Sequence, residues 1–187
     1  RVDMVMTAVA GHLMGLDFES SFRGWQSCDP EDLFEAPIVK TVPDDKKDMA
    51  DVLRTEARRC QWLILWLDCD REGENIAFEV ADVCMQQNRN MRVLRAKFSA
   101  LIPRDIFRAV GQDGGPRMQP PNKNLSEAVD ARQEIDLRLG AAFTRFQTLR
   151  LQGRFQDLQS QVISYGPCQF PAVGFVVEQA LKREQFV

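Results

Sequence analysis

Trp62-Leu63-Ile64-Leu65-Trp66-Leu67-Asp68-Cys69-Asp70-Arg71-Glu72-Gly73-Glu74 is the stretch on which the fold turns. Six apolar residues stop at a cluster of acids. An apolar run this short, rich in Ile, Leu and Trp, predicts a strand buried on both faces. Asp68 and Asp70 are two apart, so in extended backbone their carboxylates leave the same side. Glu72-Gly73-Glu74 opens a segment with helical spacing. Carboxylates crowded at a strand's C-terminal end repel unless a cation lies between them. Only oxygen ligands are offered, which suits a hard cation such as Mg²⁺. The expectation is a divalent-metal site built from Asp68, Asp70 and Glu72 on an α/β sheet.

Other acid-rich loops fit less well. Asp68, Asp70, Glu72, Gly73 and Glu79 fall at positions 1, 3, 5, 6 and 12 of a calcium-binding EF-hand loop. The segment before them is of β type rather than helical, position 5 is the long Glu, and the apolar position 8 is Asn75. A Gly-x-x-x-x-Gly-Lys phosphate loop does not occur in the sequence. A solvated acidic patch remains as the bland alternative.

Around this stretch the pattern alternates. Val2 to Ala10 predicts a strand that enters the loop Gly11-His12-Leu13-Met14-Gly15. His12, at a strand's end, is a weak catalytic candidate beside the commoner structural role of a loop histidine. Residues 17–48 are polar, hold Pro30, Pro37 and Pro43, and predict an irregular excursion. Asp44 to Cys60 carries Met49, Val52, Leu53, Ala57 and Cys60 on one helical stripe. After the acids, Ile76, Ala77, Val80, Ala81 and Cys84 give a second helix. Met91 to Phe98 predicts a strand, and Pro103 suits the first position of another helix. Strand, helix, strand, helix is an α/β order with a mainly parallel, Rossmann-like sheet and flanking helices.

Gly114-Gly115-Pro116 and Pro120-Pro121 mark a boundary or exposed loop. A long helical pattern follows, with Leu125, Ala128, Ile135, Leu139, Ala142, Phe146 and Leu149 on its stripe and Ser126 as the expected N-cap. Arg132, Arg138 and Arg145 lie off that stripe. Arg138 and Arg145 are two turns apart on one face, and Glu134 and Arg138 could form an ordinary surface pair. A polar link over 153–161 and an apolar helix over 173–181 complete the chain.

The net charge of −3 conceals an asymmetry: residues 1–88 carry −9 and residues 89–154 carry +7. An acidic, metal-ready half beside an Arg-rich half suggests a polyanion held against a metal. Ordinary solvated surface would look the same from charge alone. The chain of 187 residues suffices for one sizeable core and part of another. Its start at Arg1 rather than Met, and its end at Val187, are expected of a piece of a longer protein. The six-residue apolar run is too short to cross a bilayer. Five cysteines and one histidine show no zinc spacing, and free thiols in a reducing compartment are expected.

Asp68-Cys69-Asp70-Arg71-Glu72-Gly73-Glu74 followed by Asn75-Ile76-Ala77-Phe78-Glu79-Val80 resembles the Toprim acidic motif of type IA DNA topoisomerases, above all the eukaryotic topoisomerase III group. Met4-Val5-Met6-Thr7 through Gly11-His12-Leu13 resembles the group's early strand and loop. Asp130 to Thr148 resembles its long helix. Ser164-Tyr165-Gly166-Pro167-Cys168-Gln169-Phe170-Pro171 resembles its Ser-x-Gly-x-x-Gln segment, which lines the single-strand groove. The resemblance covers nearly the whole chain apart from 111–123 and the last ten residues. Ala172 stands where the resemblance leads one to expect Thr, so this chain offers no side-chain hydroxyl at that position.

The resemblance implies Toprim over residues 1–112, with the first strand and its Glu and Lys missing, and the start of the helical groove domain over 113–187. It implies that a Tyr attacks single-stranded DNA, becomes linked to the 5′-phosphate, and allows strand passage and resealing without ATP. Asp68, Asp70 and Glu72 match the family's Mg²⁺ ligands, and Glu72 is also a catalytic candidate. Arg132, Arg138, Arg145, Ser164 and Gln169 are candidate DNA contacts. The family's Tyr-Pro-Arg-Thr-Glu segment does not occur here, and the neighbours of Tyr165 match the groove instead. This chain alone is therefore expected neither to cleave nor to relax DNA. The same resemblance implies single-stranded DNA, a RecQ-type helicase and an OB-fold accessory protein as partners, no membrane, and residence in the nucleus with the mitochondrion as a second location. Two readings compete: a Toprim nuclease or primase-like phosphotransfer protein, and a non-catalytic DNA-binding fragment. The segment 130–171 argues against the nuclease and primase-like proteins, which lack it.

Overall fold

A computed structural model describes residues 3–112 and 118–186. The element order is β1 (Gly15–Phe18), β2 (Ile38–Thr41), α1 (Lys47–Ala57), β3 (Trp62–Leu65), α2 (Arg71–Met85), β4 (Arg92–Arg95), α3 (Pro103–Ala109), α4 (Lys123–Gln152) and α5 (Gln169–Glu184). Short 3₁₀ segments precede α1 and α5, and two more, Ser20–Phe22 and Pro30–Phe34, lie in the 19–35 segment. The chain divides into two compact units. The first is Arg1–Gly15 with Lys40–Ala131, and the second is Leu16–Val39 with Arg132–Val187.

The first unit is α/β. β3 and β4 run parallel in register Trp62↔Arg92 to Leu65↔Arg95, joined through α2. Parallel neighbours need such a crossover, because no tight turn can reverse the chain twice. One apolar cluster unites Ala50, Leu53 and Ala57 of α1, Ala77, Val80, Val83 and Cys84 of α2, Leu65 of β3, and Leu13 and Met91. Leu53, Ala57, Ala77, Val80 and Cys84 belong to the stripes read from the sequence; Ala50 and Val83 join them, and Val52, expected on the α1 stripe, is exposed. Among the described residues no helix is long and apolar enough to cross a membrane.

The second unit is mainly helical. Phe18, Leu33, Ala36 and Ala142 form its buried cluster, with Phe22, Ile38, Leu137 and Ala141 packed against them. The Asp130–Thr148 pattern does lie in a single helix, the 30-residue α4.

Four expectations need correction. No strand forms over 3–10: the alternation is present, but no described segment pairs with it, and Met4 and Met6 stay exposed. A strand exists only through its ladder partner. β3 is not buried on both faces. Leu65 is buried, whereas Trp62 is 50 % exposed and Ile64 and Trp66 are also exposed, because the apolar cluster forms on one side of the strand. The polar excursion 17–48 is less irregular than its prolines suggest, since β2 lies within it and pairs with β1, which ends at Phe18. Ser126 is not the N-cap of α4. The helix begins at Lys123, and Asn122 Oδ1 accepts from the amides of Asn124 (3.0 Å) and Leu125 (3.4 Å). Ser126 lies inside the first turn, buried, for a reason given below.

All five cysteines are free thiols. Burial, with a smaller contribution from Cys60, pushes the Cys84 thiol up to about 11. Cys69 and Cys168 are exposed. The thiolate is the nucleophile, so brief iodoacetamide treatment at pH 8 should label Cys69 and Cys168 and spare Cys84. Peptide mass mapping checks this, and equal labelling of Cys84 would contradict its packing.

Candidate metal and nucleic-acid sites

The acid loop is held by backbone contacts from its own helix. Asp70 is extended (φ −120°, ψ −174°) and is the N-cap of α2, its Oδ1 accepting from Gly73 N at 2.7 Å. Glu72 and Glu74 follow in the first turn, where the helix dipole favours negative charge. This is a structural reason for the acids that exists alongside any metal. Gly73 lets the turn lie against the loop: a Cβ there would fall 2.0 Å from the Asp68 carbonyl oxygen. Asp68 and Asp70 are exposed. Among the described residues, no three His, Cys, Asp or Glu side chains converge closely enough to hold a metal. The donor chemistry of Asp68, Asp70 and Glu72 still fits a hard cation, since all three offer carboxylate oxygens.

The structure does join Glu72 to His12. His12 Nε2 lies 3.1 Å from Glu72 Oε2, and His12 Nδ1 lies 3.2 Å from Glu79 Oε1. Gly11, at φ +71°, turns the chain just before the histidine. Glu79 is buried to 1 % and is the hub of this arrangement. Its Oε2 accepts from the amides of Leu13 (2.9 Å) and Met14 (3.2 Å), and Lys40 Nζ donates to its Oε1 at 2.9 Å.

Lys40 also bonds Asp130 Oδ1 at 2.7 Å, and Asn75 Nδ2 reaches the same oxygen at 2.9 Å. Asn75 further donates to Ser126 Oγ and O, which explains the buried serine. Burial works against charge on Lys40, but Asp130 and Glu79 outweigh it and hold the ammonium above its usual range. Burial likewise pushes Asp130 up, and Lys40 and Asn75 outweigh it and hold the carboxyl below its usual range. The Asp130 contribution is present above the unfolded value near 3.8 and fades as pH falls through the lowered one. The Lys40 contribution is present below 10.5 and fades as pH rises through the raised value. Both are intact at neutral pH.

In the second unit the arginines of α4 have partners in the protein. Arg138 donates from Nη1 to the carbonyls of Leu33 (3.0 Å) and Ala36 (2.9 Å), and from Nε to Glu134. Arg145, 8 % exposed, donates to the carbonyls of Phe22, Arg23 and Gly24. Both hold the 22–36 segment. Arg132 is exposed and also has an interaction of its own.

The Ser164–Pro171 segment is tied to α4 through the residues just before and within it, without regular secondary structure over 161–166. Thr148 Oγ1 accepts from Ile163 N at 3.0 Å, Gln147 Nε2 donates to Ile163 O at 2.7 Å, and Thr144 Oγ1 accepts from Tyr165 N at 2.9 Å. Ser164 and Gln169 are left exposed. The Tyr165 ring lies between Phe143 and Phe170, with centroids 4.8 and 4.9 Å away.

Comparison with known proteins covers most of the chain. The Toprim domain family matches residues 1–101, and the DNA topoisomerase family matches residues 120–187. DNA topoisomerase 3-alpha of Arabidopsis thaliana is 56 % identical over 98 % of the chain, and that of Homo sapiens 52 % identical over all of it. The chain belongs to the type IA DNA topoisomerases of the topoisomerase III group. It spans 20 % and 18 % of the length of those two relatives. DNA topoisomerase 3-beta of Arabidopsis thaliana is 44 % identical over 97 % of the chain.

Several residues that build the site in this topoisomerase III chain escaped the sequence reading. Glu79, weighed in the sequence only as the last position of a calcium loop, could have been found because it lies one turn from the apolar Ile76 and Val83 and two turns from Glu72. Arg95 carried a similar signal, an arginine within an apolar strand. Lys40, Asn75 and Asp130 carried none, since their partners lie 39 to 90 residues away in sequence.

Proposed function

We propose that this chain supplies the metal-holding loop and part of the single-strand groove of a type IA topoisomerase that cleaves, passes and religates single-stranded DNA without ATP. What supports the reading is one sequence holding the Asp68–Glu74 loop, inside the Toprim match over 1–101, together with the 130–171 segment, inside the DNA topoisomerase match over 120–187. Asp68, Asp70 and Glu72 would hold Mg²⁺. Bound Mg²⁺ would supply positive charge to orient a DNA phosphate. His12, faced by Glu79 on one side, meets Glu72 on the other and fixes the direction of that carboxylate. Asp70 keeps one oxygen on its helix cap and has the other for a ligand.

Ser164, Gln169 and Arg132 are proposed to meet the DNA backbone, which dominates nucleic-acid affinity. Arg138 and Arg145 would contribute by holding the 22–36 segment and by adding positive potential. The nucleophile is proposed to be a tyrosine of the complete protein other than Tyr165, whose ring packs against Phe143 and Phe170 at tilted angles. The proposed division places Toprim in 1–112 and the start of the groove domain in 113–187. A RecQ-type helicase, an OB-fold accessory protein and a nuclear location are proposed from the family alone.

The test is relaxation of negatively supercoiled DNA by the complete protein over a range of Mg²⁺ concentration. Asp68→Asn and Asp70→Asn are the variants of choice, because Asn still caps a helix and separates loss of charge from loss of the α2 cap. Each should slow relaxation about ten-fold or more, the effect expected when a charge-orienting group is lost. Unchanged relaxation in both would end the metal assignment.

A further inference from the structure

Arg95 ends β4 with a side chain that is fully buried, at 0 % exposure. Its guanidinium donates from Nε to Glu74 Oε2 at 2.8 Å. Nη1 donates to the carbonyls of Leu65 (3.2 Å) and Leu67 (2.8 Å), and Nη2 donates to the carbonyl of Asp68. The other oxygen of Glu74 accepts from Asn122 N, just before α4. One ion pair thus ties together the end of β3, the first turn of α2 and the start of α4.

A buried ion pair is a poor way to gain stability, since desolvation consumes most of its attraction. What an apolar pair could not do is fix carbonyl oxygens. Beyond Leu65 the β3 ladder has ended, and the backbone of Leu67 and Asp68 must turn toward α2. Arg95 takes over from the missing strand partner there. A planar fork with five donors can meet several carbonyls and a carboxylate at once, which a lysine ammonium on a flexible stem cannot.

We propose that Arg95, held by Glu74, is a positioning residue for the acid loop: through the carbonyls of Leu67 and Asp68 it sets the backbone from which Asp68 and Asp70 project. The proposal rests on the reading that these acids hold Mg²⁺. Gly73, which touches the same Asp68 carbonyl from α2, closes the loop from the other side.

The test uses the complete protein and Mg²⁺ alone, titrated by calorimetry, so that metal binding is read without activity. Arg95→Lys keeps the charge and loses the fork, and Glu74→Gln keeps an acceptor and loses the charge. Both should weaken Mg²⁺ binding by about ten-fold or more, as loss of an outer-shell partner does. Relaxation should shift to higher Mg²⁺ and recover at saturation. Val83→Ala, in the buried core of α2 and away from the loop, should lower thermal stability with Mg²⁺ affinity unchanged. If Arg95→Lys does not fold, Glu74→Gln decides. Wild-type Mg²⁺ affinity in the folded variants, or equal weakening by Val83→Ala, overturns the proposal. Asp68→Ala separates the two readings. If it abolishes Mg²⁺ binding while Arg95→Lys does not, only the positioning role fails. If it leaves binding intact, the metal assignment fails.

Discussion

Replacing Gly73 by alanine is expected to destabilise the first turn of α2 by about 4 kcal/mol, at the upper end of single substitutions, or roughly a thousand-fold in local opening. The added Cβ would lie 2.0 Å from the Asp68 carbonyl oxygen, 2.8 Å from its carbon and 3.0 Å from the Asp68 nitrogen. These are backbone atoms, so no rotamer change can make room. The loop cannot retreat either, because Arg95 holds the same carbonyl and Asp70 is bound to the Gly73 amide. The backbone of Gly73 is buried, so solvent gives no relief. Helix propensity alone would favour alanine over glycine by about 1 kcal/mol, and steric conflict outweighs that gain. Hydrogen exchange in the complete protein reads the result locally: the α2 amides near residues 73–76 should lose protection, while those of α4 beyond Arg132 keep theirs. Unchanged protection at α2 would show that the loop can give way.

α1 and α2 of the first unit were legible because each carries apolar residues at helical spacing, most of which tertiary packing then buries. Ala77, Val80 and Cys84 in α2 are such a case. Strands were harder. The stretch 3–10 has the alternation of a strand and no described partner, whereas Ile38–Thr41 has only four residues and gains its pairing from β1. Alternation is a local property and pairing is not. The burial of β3 was misjudged for a related reason: an apolar run records what a strand can tolerate, not how many faces are covered.

The site divides in the same way. Asp68, Asp70 and Glu72 stand out because acids at a strand's end are costly without a purpose. One purpose, the capping of α2 by Asp70, was visible only in the backbone angles. The arginines were harder to place, since a cation off an apolar stripe looks solvated. Arg138 and Arg145 instead hold carbonyls of the 22–36 segment, as Arg95 holds those of Leu67 and Asp68. A long irregular connection leaves many carbonyls without ladder partners. Guanidinium groups are well suited to collect several of them, so an Arg-rich stretch can reflect loop architecture as much as polyanion binding.

Glu79→Ala should be the other severe substitution, costing about 3–5 kcal/mol because it breaks a buried, paired charge. Glu79 Oε2 satisfies the amides of Leu13 and Met14, and no second acceptor is bonded to either among the described residues. Leu13 is buried to 1 %, so water cannot readily replace the carboxylate at its amide. Lys40 would keep Asp130 but lose one of its two anions, in a setting where burial already opposes its charge. His12 would keep only Glu72. The 9–14 segment would therefore loosen from the α1–α2 core, and the direction of the Glu72 carboxylate would loosen with it. Glu79→Gln retains a carbonyl oxygen for the two amides and discards the charge on which Lys40 depends, so its cost should be smaller, about 1–2 kcal/mol for a hydrogen-bonded polar replacement. Amide exchange at Leu13 and Met14 distinguishes the two variants: fast in Glu79→Ala, intermediate in Glu79→Gln, slow in the wild type. Slow exchange at both amides in Glu79→Ala would mean that the apolar packing of Leu13 fixes this segment unaided and that Glu79 does not hold His12 in place.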